Sequence, residues 1–201
     1  MKIILIDVNP GMIAAWRNFF AGGKDVTIVH GDMTKISCDA MVSPANSFGF
    51  MDGGIDYALS ERFGWDLEKK LQKKIKELPE GELLVGQALI LETGDKIVPY
   101  IISAPTMRVP MDFNIGTSLN AYQAMKAVLI KARTHPGINS VAVSGFCTGS
   151  GRMHPDVSAK QMRFAYDEII LGLKMDFDTF SEAQHYQLLI NPTGKLYHNN
   201  G

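Results

Sequence analysis

The sequence predicts an α/β fold of three layers, α/β/α, with helices on both faces of a mixed, largely parallel central sheet. Short continuous runs of apolar residues, such as 3–8 (Ile-Ile-Leu-Ile-Asp-Val) and 140–144 (Ser-Val-Ala-Val-Ser), read as strands buried on both sides. Between such runs lie longer stretches whose apolar residues recur every three or four positions, the spacing of a helix with one buried face. Glycine and proline punctuate the junctions. Strands that alternate with helices need crossover connections, and those place helices on both faces of a mainly parallel sheet.

The first strand, 3–8, is broken by Asn9-Pro10-Gly11. Residues 12–20 then carry helical apolar spacing until Gly22-Gly23 stops them. Residues 26–30 form a second strand and 40–43 a third, which ends at Pro44. Ile55, Leu59, Phe63, Leu67, Leu71 and Ile75 lie four apart, with lysines gathered late. That pattern predicts an amphipathic helix with a break near Gly64. A longer strand region, 83–91, is interrupted by Gly86, and 96–103 supplies another strand. A helix over 117–133, a strand over 140–144 and a helix over 155–173 follow. Residues 1–173 thus make one domain. Residues 174–201 make a less periodic C-terminal extension, expected to pack on the same domain and cover a sheet edge. Within it, 187–190 reads as a strand and 199–201 as a frayed end.

A chain of 201 residues buries roughly 70% of its extended surface and needs no staples. Its 46% hydrophobic and 20% charged content is that of a soluble globular protein. A net charge of −1 argues against gripping nucleic acid by phosphate neutralisation, yet leaves room for a small nucleotide ligand. Cys38 and Cys147 fit neither a disulfide framework nor a paired metal site. The five histidines have no ligand spacing, so no metal and no cofactor are expected. The N-terminus becomes charged too early for a signal peptide. No run approaches the roughly 20 apolar residues of a membrane span, so a cytoplasmic protein without a membrane partner is expected.

The segment from Cys147 to Pro155 (Cys-Thr-Gly-Ser-Gly-Arg-Met-His-Pro) leaves a strand and enters a helix. Glycines there let successive N–H groups turn toward one point, a nest that attracts phosphate. Arg152 adds a cation with bidentate reach. An ordinary strand-to-helix turn is the plainer alternative. A second glycine-bearing loop, 44–54, also follows a strand. Both loops then fall at the carboxyl ends of strands, where such sheets bind ligands. Three familiar templates fail. A nucleotide-binding Gly-Lys-Ser/Thr ending is replaced by Ser150-Gly151-Arg152, and the third glycine of a dinucleotide fingerprint is His154. Only four residues separate Cys147 from Arg152, where a cysteine phosphatase loop has five. Cys147 therefore reads as a small packed residue.

In chain order come Gly31-Asp32-Met33-Thr34 after the second strand, Ser43-Pro44-Ala45-Asn46 at the third, Gly53-Gly54-Ile55-Asp56 at the long helix, and Cys147-Thr148-Gly149 late. This succession resembles the macro domain family over residues 26–172. There the matching signatures are a Gly-Asp-Ile-Thr turn, an Asn-Ala-Ala-Asn stretch, a Gly-Gly-Gly-Val-Asp helix start and a Ser-Thr-Gly loop. The family binds ADP-ribose, and some members process ADP-ribose 1″-phosphate. The resemblance implies a macro-domain-like version of the three-layer fold and a set of roles. Asp32 would accept a hydrogen bond from the adenine amino group. Asn46 would meet the hydroxyls of the distal ribose. Gly53 and Gly54 would bring backbone to that ribose and the phosphates, while Thr148, Gly149, Ser150, Gly151 and Arg152 would wrap the diphosphate. Met33, Ala45 and Ile55 complete the ligand-binding set. Asp56, with Asn46 positioning the sugar, would be the catalytic carboxylate that activates water. Plainer roles stand beside these: a turn cap for Asp32, an Asx turn for Asn46, a favoured first-turn charge for Asp56 and a loop carboxylate for Asp52.

Some positions depart from the family. Ser43 replaces an asparagine, and Phe48-Gly49-Phe50-Met51-Asp52 replaces a smaller approach to the helix. The aromatic that often follows the late Thr-Gly is absent, leaving Arg152 and His154 as candidates for a terminal phosphate. The expected function is ADP-ribose binding with hydrolysis of a derivative, either an ADP-ribosyl conjugate or ADP-ribose 1″-phosphate. The enzyme would then be an ADP-ribosyl hydrolase or a phosphatase, and ADP-ribosylated macromolecules would be partners. The alternative is a module that binds ADP-ribose or a related nucleotide without turnover.

Overall fold

The computed structural model describes residues 1–44, 46–111 and 114–193. Ala45 and the chain end at 199–201 lie outside them. Strands β1 (Lys2–Asp7), β2 (Val26–His30), β3 (Ala40–Ser43), β4 (Leu89–Glu92), β5 (Tyr100–Ser103) and β6 (Ser140–Val143) form one sheet in the order β2-β1-β6-β3-β5-β4. All adjacent pairs run parallel except β4 with β5. The helices are α1 (Pro10–Phe19), α2 (Gly54–Phe63), α3 (Asp66–Lys76), α4 (Asn120–Thr134), α5 (Pro155–Ile169) and α6 (Phe180–Ile190).

Side-chain alternation builds the three layers. Ile3 and Leu5 of β1, Val42 of β3, Ile102 of β5, and Val141 and Val143 of β6 share a core with Trp16, Met125, Val128 and Tyr166 of α1, α4 and α5. Ile6, Met41, Ile101 and Ala142 point the other way, onto Leu59, Leu67, Leu71 and Ile75 of α2 and α3. A period of two in a strand buried on both faces dictates this division.

The predicted long helix is two helices, parted where Gly64 takes φ +89°. Region 83–91 pairs only from Leu89. Before it, Leu84 N–H donates to Gln87 Oε1 at 3.0 Å, and Gly86 at φ +96° bends the chain out of a strand. The strand predicted over 96–103 shortens to β5, because Asp95 Oδ1 accepts from Ile97 N at 2.6 Å and Val98 N at 2.9 Å in a turn. Residues 187–190 are helical and not a strand. Thr179 and Glu182 form a capping box that starts α6, and the apolar run merely ends that helix. Tyr186 Oη donates to Glu168 Oε1 of α5 at 2.8 Å, and Asn191 Nδ2 donates to the Gly116 and Ser118 carbonyls at 2.8 Å each. These bonds attach α6 to the helical layer and not to a sheet edge.

One polar tie joins distant strands. Asp39 Oδ2 accepts from Asn139 N at 2.8 Å, Ser140 N at 2.8 Å and Ser140 Oγ at 3.0 Å, so it locks the start of β3 to that of β6. Asp39→Ala leaves those donors without a carboxylate. It is expected to destabilise the fold by roughly 2–3 kcal/mol, read as a lower midpoint in urea unfolding.

Candidate functional site

The carboxyl ends of the parallel strands share one edge of the sheet, and a cleft of about 620 Å³ opens along it. Strand order sets its sequence of walls. Met33 follows β2, Asp7 ends β1 and Val8 follows it, Ser144, Gly145, Cys147 and residues 149–151 follow β6, Pro44, Asn46, Phe50 and residues 52–56 follow β3, and Thr106, Met107 and Pro110 follow β5.

The segment after β3 is held from several sides. Asn46 Oδ1 accepts from Phe48 N at 3.1 Å and Phe50 N at 3.2 Å, while its Nδ2 donates to Phe50 O at 2.8 Å. The amide expected to meet sugar hydroxyls is therefore committed to its own loop, as an Asx turn would have it. Gly49 sits at φ +73°, where a Cβ would come within 2.9 Å of Leu71 and Ile75 side chains of α3. Thr106 Oγ1 donates to Pro44 O at 3.1 Å, and Ser47 N to Arg108 O at 3.0 Å, so the segment after β5 braces the loop.

Gly53 caps α2 without a side-chain hydrogen bond, and Gly54 begins the helix at φ +56°. The N-terminal amides of α2 thus stand at the cleft wall, the end of a helix that attracts anions. One turn in, Asp56 is 8% exposed, and Ser43 Oγ donates to its Oδ1 at 2.5 Å. Burial pushes the Asp56 carboxyl up to about 7; the Ser43 bond opposes the rise and the nearby Asp52 charge adds to it.

The loop after β6 is equally fixed. Asp7 Oδ2 accepts from Gly145 N at 2.9 Å, Ser158 Oγ donates to Phe146 O at 2.7 Å, and Met153 N donates to Cys147 O at 2.9 Å. Cys147 adopts φ +63°, and burial pushes its thiol up to about 12, so it stays an unreactive thiol. The amides of Gly149, Ser150 and Gly151 have no hydrogen-bond partner among the described residues, and all three residues line the cleft.

Nine of the predicted residues line the cleft: Met33, Asn46, Gly53, Gly54, Ile55, Asp56, Gly149, Ser150 and Gly151. Ala45 lies outside the described residues. Asp32, Thr148 and Arg152 are not part of its lining. Asp32 Oδ1 accepts from Thr34 N at 2.8 Å and Thr34 Oγ1 at 2.7 Å, which caps the short 3-10 turn Met33–Lys35 and lowers the Asp32 carboxyl's pKa. Thr148 Oγ1 turns to Gly145 O at 3.2 Å. Arg152 is exposed, with φ +51°. His154 caps α5, its Nδ1 accepting from Asp156 N at 3.2 Å, and takes no part in the cleft wall. Asp7, Val8, Thr106, Met107 and Gly145 were not anticipated. Their signal was positional: each lies at or just beyond the carboxyl end of a parallel strand. No helix among the described residues is long and apolar enough to cross a membrane.

A family model described as Macro domain matches residues 42–162. An O-acetyl-ADP-ribose deacetylase from Cronobacter turicensis is 30% identical over 141 residues, covering 69% of this chain and 76% of the relative. The macrodomain of Mycobacterium tuberculosis DarG matches with a TM-score of 0.59 at 22% identity, over 69% of this chain and 87% of that one. A mutant Oceanobacillus iheyensis macrodomain with ADPR matches with a TM-score of 0.56 at 21% identity, over 67% and 72% of the two chains.

Proposed function

This chain belongs to the macro domain family, and on that premise we propose that its cleft binds ADP-ribose and hydrolyses a bond at the distal ribose of a derivative. One observation carries the reading: the buried carboxylate Asp56 stands in a cleft that both glycine-bearing loops also line. The amides of 149–151 and of the α2 N-terminus supply hydrogen-bond donors to a diphosphate without lysine, which suits a chain of net charge −1. A ligand lying along the sheet edge in strand order would have its adenine beside Met33 and Val8, its diphosphate at 149–151 and its distal ribose beside Asp56. Asp32, beside Met33 but outside the lining, fixes the turn through Oδ1 and would offer Oδ2 to a hydrogen bond from the adenine amino group.

In the hydrolytic step, Ser43 holds Oδ1 of Asp56, and a water binds Oδ2. The water oxygen bonds to the electrophilic carbon at the distal ribose substituent while the bond from that carbon to the leaving oxygen breaks; the water's proton passes to Asp56, which returns it to the leaving oxygen. A carboxyl that ionises near pH 7 is suited to this work. The Cronobacter relative is named for deacetylating O-acetyl-ADP-ribose, which makes an ester the first substrate to try. ADP-ribosyl conjugates and ADP-ribose 1″-phosphate follow.

Calorimetry with ADP-ribose is expected to show binding that weakens about tenfold in Asp32→Ala, the loss of one charged hydrogen bond. Turnover of the ester is expected to rise with pH as Asp56 ionises through about 7. Binding without turnover of all three derivatives would make the protein a reader. The Ser43 bond, which occupies half of the carboxylate, is the feature that favours that second reading. No heat with either ADP-ribose or ADP would sink both.

A further inference from the structure

The aromatic residues of the loop after β3 have different fates. Phe48 is half-buried beneath Arg108, whose guanidinium carbon lies 4.9 Å from the ring centroid. Phe50 is 54% exposed and lines the cleft together with Asp52, Gly53, Gly54 and Asp56.

The backbone of Phe50 is clamped. Its N–H donates to Asn46 Oδ1 at 3.2 Å and its carbonyl accepts from Asn46 Nδ2 at 2.8 Å, so both of its polar groups are held by one buried side chain. The next residue, Met51, is fully buried. Its N–H donates to Glu68 Oε2 at 2.6 Å, and its carbonyl accepts from Ser60 Oγ at 3.1 Å. A chain held on both sides while its large apolar ring stays outside the core is organised for contact with something else. Fixing the backbone that carries the ring removes part of the ordering entropy that a ligand would otherwise have to overcome.

We propose that Phe50 is the specificity-determining residue that packs against the distal ribose of ADP-ribose, and that Asn46 is its positioning residue. The assignment rests on the reading of the cleft given above. Strand order selects the distal end: Phe50 belongs to the β3 segment, the same one that carries Asp56, and β6 and β1 separate it from the Met33 end. A pyranose or furanose presents C–H groups on its faces, and an aromatic ring carried on a clamped backbone removes that surface from water. ADP lacks this sugar, so the ring should separate the two ligands. Asn46 then serves the sugar through Phe50 rather than by direct contact.

The test is calorimetry of ADP-ribose and ADP against the wild type, Phe50→Ala, Phe50→Trp, Asn46→Ala and the Phe50→Ala/Asn46→Ala double variant. Phe50→Ala should weaken ADP-ribose about tenfold while ADP changes less than about twofold, the difference expected for one buried ring face. Phe50→Trp should restore ADP-ribose affinity. Asn46→Ala should show the same split between ligands, and the double variant should bind no worse than Phe50→Ala, because the two act as one unit. Phe50 is largely exposed, so its variants report even where Asn46→Ala fails to fold. Equal losses for ADP-ribose and ADP, or an unchanged ADP-ribose affinity in Phe50→Ala, would overturn the assignment. Binding of neither ligand by the wild type would remove the cleft's function itself, and this role with it.

Discussion

At pH 8, Asp56→Asn is expected to melt at a higher temperature than the wild type while losing at least about a hundredfold in hydrolysis, the scale of a general base removed. The two effects have one cause. The unfolded chain ionises Asp56 near its ordinary value of 3.8, whereas the folded chain holds the proton up to about 7. Below pH 4 the group is neutral in both states and costs nothing. Between pH 4 and 7 the folded state binds the extra proton, so stability falls as pH rises. Above 7 both states are ionised and the full penalty of the buried charge persists, up to roughly 4 kcal/mol. Asparagine removes that penalty and still accepts the Ser43 hydroxyl, although the weaker, neutral bond offsets part of the gain. The net rise should be on the order of 5–10 °C in Tm at pH 8 for a chain of this size, shrinking toward zero by pH 4. Scanning calorimetry of both proteins across that range is the measurement. A variant that melts at or below the wild type at pH 8 would mean the carboxylate is better solvated than its surroundings imply.

Gly151→Ala should abolish most ligand binding from a position that carries no functional group. A Cβ there would lie 2.7 Å from Cys147 O and 2.8 Å from Ile115 Cδ1. The carbonyl cannot retreat easily, because it already accepts Met153 N at 2.9 Å, and Gly151 O accepts Ile115 N at 3.0 Å. The backbone of 149–151 must therefore shift, which re-aims the amides that face the cleft. Overpacking of this kind costs about 1–3 kcal/mol in stability, and ADP affinity is expected to drop at least roughly thirtyfold, about 2 kcal/mol. ADP is the ligand to titrate, since it reports on the diphosphate wall without the distal sugar. Gly149→Ala is the control for stability alone. Nothing lies within 4 Å of its added Cβ, so its unfolding free energy should stay within about 0.5 kcal/mol of the wild type. Equal behaviour of the two variants would mean the loop is softer than its hydrogen bonds imply.

The strands that sit at the centre of the sheet were readable because burial on both faces selects continuous apolar runs, as in β1 and β6. The edge was harder. Leu83 is buried without being in a strand, and Gly86 turns the chain before β4, so hydrophobicity alone overextended that strand. The run at 187–190 was misread for a related reason. Its apolar residues close a helix whose start is written eight and five residues earlier, in Thr179 and Glu182. The two glycine-bearing loops were legible because glycine leaves a visible mark wherever backbone must approach a ligand or adopt a positive φ.

Residue types and their order therefore determined the α/β architecture, the family, and which loops border the cleft. Tertiary structure decided what the polar side chains do there. Asp39 finds its partners about 100 residues away, a distance no local pattern encodes. Asn46 was legible as an amide at the right strand end, but only the folded loop turns that amide onto Phe50. Asp56 was legible as a carboxylate in the first turn of a helix. Its near-neutral titration exists only because α2 packs it away from water, which outweighs the opposing Ser43 bond, and burial is a property of the whole fold, not of the residue.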